Sequence, residues 1–130
     1  MPETELPRPT DAELQILKVL WRRGPSTVRE VFETLGETRG TGYTTVLKLM
    51  QIMADKGLVV RDERERAHRY EAASPEDETQ RHLVGDLLRK AFDGSAQKLV
   101  MHALSAERAT AEELTEIRRM LDELERGGER

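Results

Sequence analysis

The sequence predicts a mainly α-helical chain that carries one small β-hairpin. Two observations carry that expectation. Apolar residues recur at three- and four-residue spacing in six separate stretches, the period of helices with one buried face. Between the third and fourth stretches the pattern changes to Leu58-Val59-Val60, a charged run from Arg61 to Ala67, and His68-Arg69-Tyr70-Glu71. That is how two short strands and a turn read.

Each element has its own warrant. Met1 to Pro9 holds three of the five prolines and is expected to be a flexible tail. Thr10-Asp-Ala-Glu13 is a capping-box pattern, in which the Thr hydroxyl takes an amide of the first turn and the Glu reaches back. Leu14, Leu17, Leu20 and Trp21 then share a helical face, with Ile16 adjoining, until Gly24-Pro25 ends the helix. A second helix is expected from Ser26 or Thr27, with Val28, Val31, Phe32 and Leu35 inward. Gly36 to Gly42 contains three glycines and reads as a loop.

The third helix is expected over Tyr43 to Lys56. Val46, Leu49, Met50 and Met53 form its inner stripe, while Thr44, Thr45, Lys48, Gln51 and Asp55 occupy the other side. Gly57 suits its C-terminus, because glycine enters the left-handed conformation without a side-chain penalty. The hairpin follows. Ser74-Pro75-Glu76-Asp77 then predicts a helix start, with Ser as cap, Pro at the first position and acids at the positive end of the dipole. Leu83, Val84, Leu87, Leu88, Ala91 and Phe92 give that helix its stripe, and Asp93-Gly94-Ser95 breaks it. A short helix around Ala96 to Leu104 carries Leu99, Val100, Ala103 and Leu104. Thr110-Ala-Glu-Glu113 caps the last helix, where Leu114, Ile117, Leu121 and Leu124 have coiled-coil-like spacing.

Three helices followed by a hairpin, at residues 10–73, is the order of a winged helix-turn-helix. Residues 74–126 are then a helical region, and 127–130 a frayed tail. With 57 residues and narrow stripes, the segment from 74 onward buries too little to stand alone. Pairing those stripes across a two-fold axis solves the problem and sets two readers on one duplex. Leu83, Leu87, Leu88, Leu99, Leu114, Ile117, Leu121 and Leu124 are the expected dimerisation residues. Folding back onto the chain's own winged helix is the competing arrangement.

The charge pattern fits a local DNA contact. The chain carries a net charge of −4, but residues 1–73 are neutral overall and 74–130 hold the whole excess of acid. Within residues 39–69, seven Lys and Arg face four Asp and Glu. A major groove about 12 Å wide admits one helix, and short polar residues at its N-terminal turn let the backbone approach. Thr44 and Thr45 meet that condition. Lys48 and Gln51 lie within reach of base edges, and Tyr43 suits a phosphate or packing contact. Arg64, Arg66 and Arg69 on the hairpin are the candidate phosphate ligands. An ordinary solvated face is the bland reading of each of these positions taken singly; the order of the elements turns the balance. The acidic overall charge supports a second reading, a winged helix that binds protein and not DNA.

Other functions find little support. The absence of cysteine excludes disulfides, cysteine metal sites and a thiol nucleophile, and it suits a reducing cytoplasm, the expected location. His68, His82 and His102 lack ligand spacing, so neither a metal nor a cofactor is expected. No Gly-flanked serine or Gly-rich phosphate loop points to an enzyme. No apolar run approaches the ~18 residues needed to cross a bilayer, and the N-terminus lacks the basic-then-apolar pattern of a secretory signal.

Residues 42–59, together with Ala67-His-Arg-Tyr70, resemble the BlaI/MecI/CopY family of bacterial transcriptional repressors. Ala12 to Trp21, Gly24-Pro25 and Phe92 to Val100 extend the resemblance over nearly the whole chain. It implies an N-terminal winged helix, a C-terminal helical dimerisation region, and homodimers on pseudo-palindromic double-stranded operators, with Thr45 and its neighbours facing DNA. It also implies induction through a membrane-bound sensor metalloprotease that leads to cleavage in the dimerisation region. Where penicillinase-type members carry a cleaved Asn-Phe bond, this chain has His102-Ala103. Copper-responsive members need a C-terminal cysteine motif, which this chain lacks. The arginine often found late on the recognition helix aligns with Ile52.

Overall fold

A computed structural model describes residues 8–36 and 42–128. Residues 1–7 of the expected flexible tail at 1–9, residues 37–41 of the glycine loop at 36–42, and residues 129–130 of the expected frayed tail at 127–130 lie outside the described residues, while Gly127 and Gly128 continue the last helix. Among those described there are six helices and three short strands: α1 (Asp11–Arg23), β1 (Ser26–Thr27), α2 (Val28–Leu35), α3 (Tyr43–Lys56), β2 (Val59–Asp62), β3 (Arg69–Ala72), α4 (Glu76–Ala91), α5 (Ala96–Ala106) and α6 (Ala111–Gly128).

Helix starts follow their capping chemistry. Thr10 accepts from the Glu13 amide at 3.2 Å, and Glu13 Oε1 accepts from the Thr10 amide at 2.9 Å. Thr27 and Glu30 repeat the arrangement at α2, which decides between Ser26 and Thr27 as its cap. Thr110 and Glu113 do so at α6. Gly57 closes α3 at φ 86°, ψ 14°, the left-handed geometry that glycine reaches without penalty. At α4 the helix begins at Glu76, so Pro75 stands one position before it and not at its first position as expected. The Pro75 carbonyl accepts from the Thr79 amide at 3.2 Å.

The sheet is larger than the expected hairpin. Its order is β1-β3-β2, all antiparallel. Ser26 pairs with Tyr70 and Thr27 with Arg69, so the residue that caps α2 also ends a strand. A two-residue strand has no alternation to read, which is why only the fold displays it. The other strands run one or two residues beyond their expected ends, with Val59 opposite Ala72 and Asp62 opposite Arg69.

One core serves α1 to β3. Ile16, Leu17, Val19, Leu20, Val28, Val31, Val46, Met50, Met53, Leu58, Val59 and Tyr70 are buried in it, and Leu14, Trp21, Phe32, Leu35 and Leu49 pack at its edge. Met50 and Met53 of α3 are both 0% exposed; unbranched methionines adapt to uneven space within a core. Glu13 is also buried, and Lys56 reaches both its oxygens at 2.8 and 2.9 Å. This pair joins the start of α1 to the end of α3. Burial would raise the Glu13 pKa, but the hydrogen bonds from Lys56 and Thr10 outweigh it and hold the carboxyl below its ordinary value. Trp21 Nε1 donates to the Ser74 carbonyl at 2.9 Å, fastening the segment before α4 to α1.

Contacts divide the chain into two units, with the break inside α4 after Gly85. Among the described residues, none beyond Tyr70 is buried. In the second unit, Asp93 and Gly94 both take positive φ, and the Gly94 amide donates to the Leu88 carbonyl at 2.9 Å, which ends α4 at the expected break. Ser95 caps α5 through the Lys98 amide at 3.2 Å.

Candidate nucleic-acid interface

Helix α3 is divided along its length. Val46, Met50 and Met53 face the core, whereas Tyr43, Thr44, Thr45, Lys48 and Gln51 are exposed. Ile52 and Asp55 are exposed too. Gly42 supplies no side-chain cap, so the first-turn amides stand beside Thr44 and Thr45 without a competing hydroxyl or carboxylate from the cap. Two threonines here let the backbone come close to a partner and still offer hydroxyl and methyl groups.

Tyr43 is held from α2. Its ring meets Phe32 edge-on at 5.9 Å, and the Arg29 guanidinium lies over it at 4.9 Å. Packing is thus part of the role of Tyr43. Arg29, Tyr43, Gln51, Arg66 and His68 all open onto one cleft of about 630 Å³ between α2, α3 and the wing.

The wing arginines differ among themselves. Arg64 grips Asp62 as a fork, Nε to Oδ1 at 3.0 Å and Nη2 to Oδ2 at 2.7 Å. Those bonds, with one from the Arg64 amide, lower the Asp62 pKa to about 2. Arg61 pairs with Glu63 at 2.7 Å. Arg69 lies 3.5 Å from Glu30 and 3.8 Å from Glu65. Arg66 makes no ion pair among the described residues. The three expected phosphate ligands on the wing are therefore exposed, but two of them are already engaged with acids. Alternation of acid and base in the sequence signals such pairing without saying which residues pair.

The expected dimerisation residues are all at least partly exposed. Leu83, Leu88, Leu99 and Ile117 are half-buried, and Leu87, Leu114, Leu121 and Leu124 are exposed. Val84, Val100, Met101, Leu104 and Met120 join the exposed apolar set. No group of three or more metal-ligating side chains occurs among the described residues, and no described helix is long and apolar enough to cross a membrane.

The profile of the penicillinase repressor family matches residues 9–123. The chain belongs to that family. It is 41% identical over 125 residues to the transcriptional regulator BlaI of Mycobacterium tuberculosis, covering 95% of this chain and 89% of the relative. It is 23% identical over 119 residues to the penicillinase repressor of Bacillus licheniformis, covering 92% and 93%. In fold it is similar to the solution structure of the DNA binding domain of the repressor BlaI, with TM-score 0.50 and 24% identity over 57% of this chain and 90% of that one. The Bacillus licheniformis BlaI monomer solved with the blaP half-operator matches equally. Family membership places the chain among repressors, not enzymes.

Neither the seat of Arg29 over Tyr43 nor the Glu13–Lys56 pair is among the sequence expectations. A signal for Arg29 existed: a cation in the first turn of a helix opposes the dipole and asks for another reason to be there. Glu13 was legible only as a cap, since its partner lies 43 residues away.

Proposed function

We propose that this repressor-family chain is a cytoplasmic, homodimeric, DNA-binding transcriptional repressor that recognises a pseudo-palindromic operator. Residues 10–73 read DNA and residues 74–126 pair two copies. Thr44, Thr45, Lys48 and Gln51 enter the major groove with Tyr43 at its edge, and Arg64, Arg66 and Arg69 meet phosphates. Repression follows from occlusion of a promoter. Induction follows from loss of the dimer, through proteolysis linked to a membrane-bound sensor metalloprotease. The observation that carries the reading is the divided helix α3, with a short polar exposed face over the fully buried Val46, Met50 and Met53.

The test is a mobility shift on the DNA upstream of its own gene, beside random DNA, at several salt concentrations. The expected outcome is tighter operator binding with a steep salt slope. Equal binding to both with a slope near zero overturns it. Replacing Lys48 by Ala should cost roughly 1–3 kcal/mol on the operator, unevenly across sequence variants, as a base-reading side chain does.

The ion pairs of Arg61, Arg64 and Arg69 favour a second reading, a winged helix that docks protein. It expects that replacing Arg64, Arg66 and Arg69 together by Gln leaves function intact. The DNA-binding reading expects repression to be lost.

A further inference from the structure

The wing is the expected source of phosphate ligands, yet most of its cations are spent on neighbouring acids. The Arg64 fork is turned onto Asp62 through Nε and Nη2. An exposed ion pair of this kind opens readily, but the carboxylate stays beside the arginine and cancels its field at a passing phosphate. Arg61 with Glu63, and Arg69 between Glu30 and Glu65, are in the same position.

Arg29 is placed differently. It is exposed on the first turn of α2, where the dipole disfavours a cation. Glu33, one turn along the same helix, is the obvious partner, yet Arg29 makes no ion pair among the described residues. It lies instead over the Tyr43 ring at 4.9 Å, and Phe32 steadies that ring from its edge. Stacking uses the face of a guanidinium and leaves its five in-plane N–H donors untouched. The side chain is thus oriented and keeps its full charge and its hydrogen-bonding capacity. It lines the same cleft as Arg66 and Gln51, at the N-terminal end of the reading helix.

We propose that Arg29, stacked on Tyr43, is a phosphate ligand of the DNA interface that anchors the N-terminal end of α3 on the backbone of the duplex. This inference rests on the DNA-binding reading above and adds a contact from α2 to it. Arg29 and Arg66, which make no ion pair among the described residues, then supply charge from the two sides of a cleft that Glu30 and Glu33 also line, and α3 supplies the base-reading face.

The test compares wild type with Arg29→Gln and Arg29→Lys, using the full chain on operator and on random duplex DNA across a salt series. Gln keeps much of the stem over the ring and removes the charge. Each phosphate contact contributes about 0.9 to the salt slope on B-DNA. Arg29→Gln should therefore lower the slope by about 0.9 per bound winged helix. It should weaken operator and random binding by the same factor, roughly tenfold per winged helix, with unchanged thermal unfolding. Arg29→Lys should keep the slope, because the charge is retained. An unchanged slope in Arg29→Gln, or a loss confined to operator DNA, overturns the proposal. So does an equal fall in slope for Arg29→Lys, which would report damage to the fold and not a lost charge. A wild-type protein with no salt-dependent DNA binding overturns the DNA-binding reading itself; wild-type binding with an unaltered Arg29→Gln slope removes only the role of Arg29.

Discussion

The winged helix and the C-terminal helices solve the same problem in opposite ways. From α1 to β3 the chain closes a core on itself, burying twelve apolar side chains and the paired Glu13. From α4 to α6 it forms regular helices, with side-chain caps at the starts of α5 and α6, and buries none of their residues. Leu121 and Leu124 stand 55% and 60% exposed, and Met120 59%. Local signals suffice to make a helix, but stability comes from packing a face against something. On the proposed reading, a second copy supplies that packing, which makes the second region dependent on concentration and the first independent of it.

The largest effect expected from this contrast is on assembly. Replacing Leu121 and Leu124 together by Asp should leave a monomer in sedimentation and weaken operator binding by about a hundredfold or more, since linked readers gain that much from acting together. A persistent dimer would remove these residues from the interface. Next is the closed core. Met50→Ala should cost about 2–5 kcal/mol in denaturant unfolding, whether the protein is dilute or concentrated, whereas Leu121→Ala should matter most where dimers form. Equal concentration dependence for the two would erase the distinction between the regions.

Smaller effects come from the Glu13–Lys56 pair. Lys56→Met should cost roughly 1–3 kcal/mol, because it strands a buried carboxylate with fewer donors. The pair also sets an acid limit. The folded pKa of Glu13 lies below its unfolded value, so its contribution is fully present above the ordinary carboxylate range and is lost as the pH falls through the folded pKa. Glu13→Gln should remove that acid-side loss in unfolding experiments carried from neutral pH to below the ordinary carboxylate range. The smallest difference lies within the wing. Arg66→Gln should lower the salt slope by about 0.9 per winged helix, and Arg64→Gln by less, because Asp62 already offsets its charge. Equal slopes for the two would show that the pairing does not matter at the duplex.

Much of the fold was legible because its helices announce themselves locally. Thr10 with Glu13, Thr110 with Glu113, and Gly57 mark boundaries within a few residues, and the α3 stripe separated Val46, Met50 and Met53 from the polar face. The third strand was not legible, since Ser26 and Thr27 acquire strand character only by pairing with Tyr70 and Arg69. Val19 was missed as a core residue because it lies off the α1 stripe and is covered by other elements of the fold. At the candidate interface, the sequence marked the wing as basic but did not apportion its charge.

Amino-acid order by itself determined where the helices start and stop, which face of α3 is apolar, and that the C-terminal helices carry narrow stripes. Those properties depend on neighbours within one or two turns, where capping and periodicity act. Tertiary structure alone decided that Arg64 is occupied by Asp62 while Arg29 lies over Tyr43 with no ion pair among the described residues, that Glu13 is a buried ion pair as well as a cap, and that the wing is a three-stranded sheet. Each of those depends on which groups meet across space, and an electrostatic or strand-pairing partner leaves no periodic trace in the sequence.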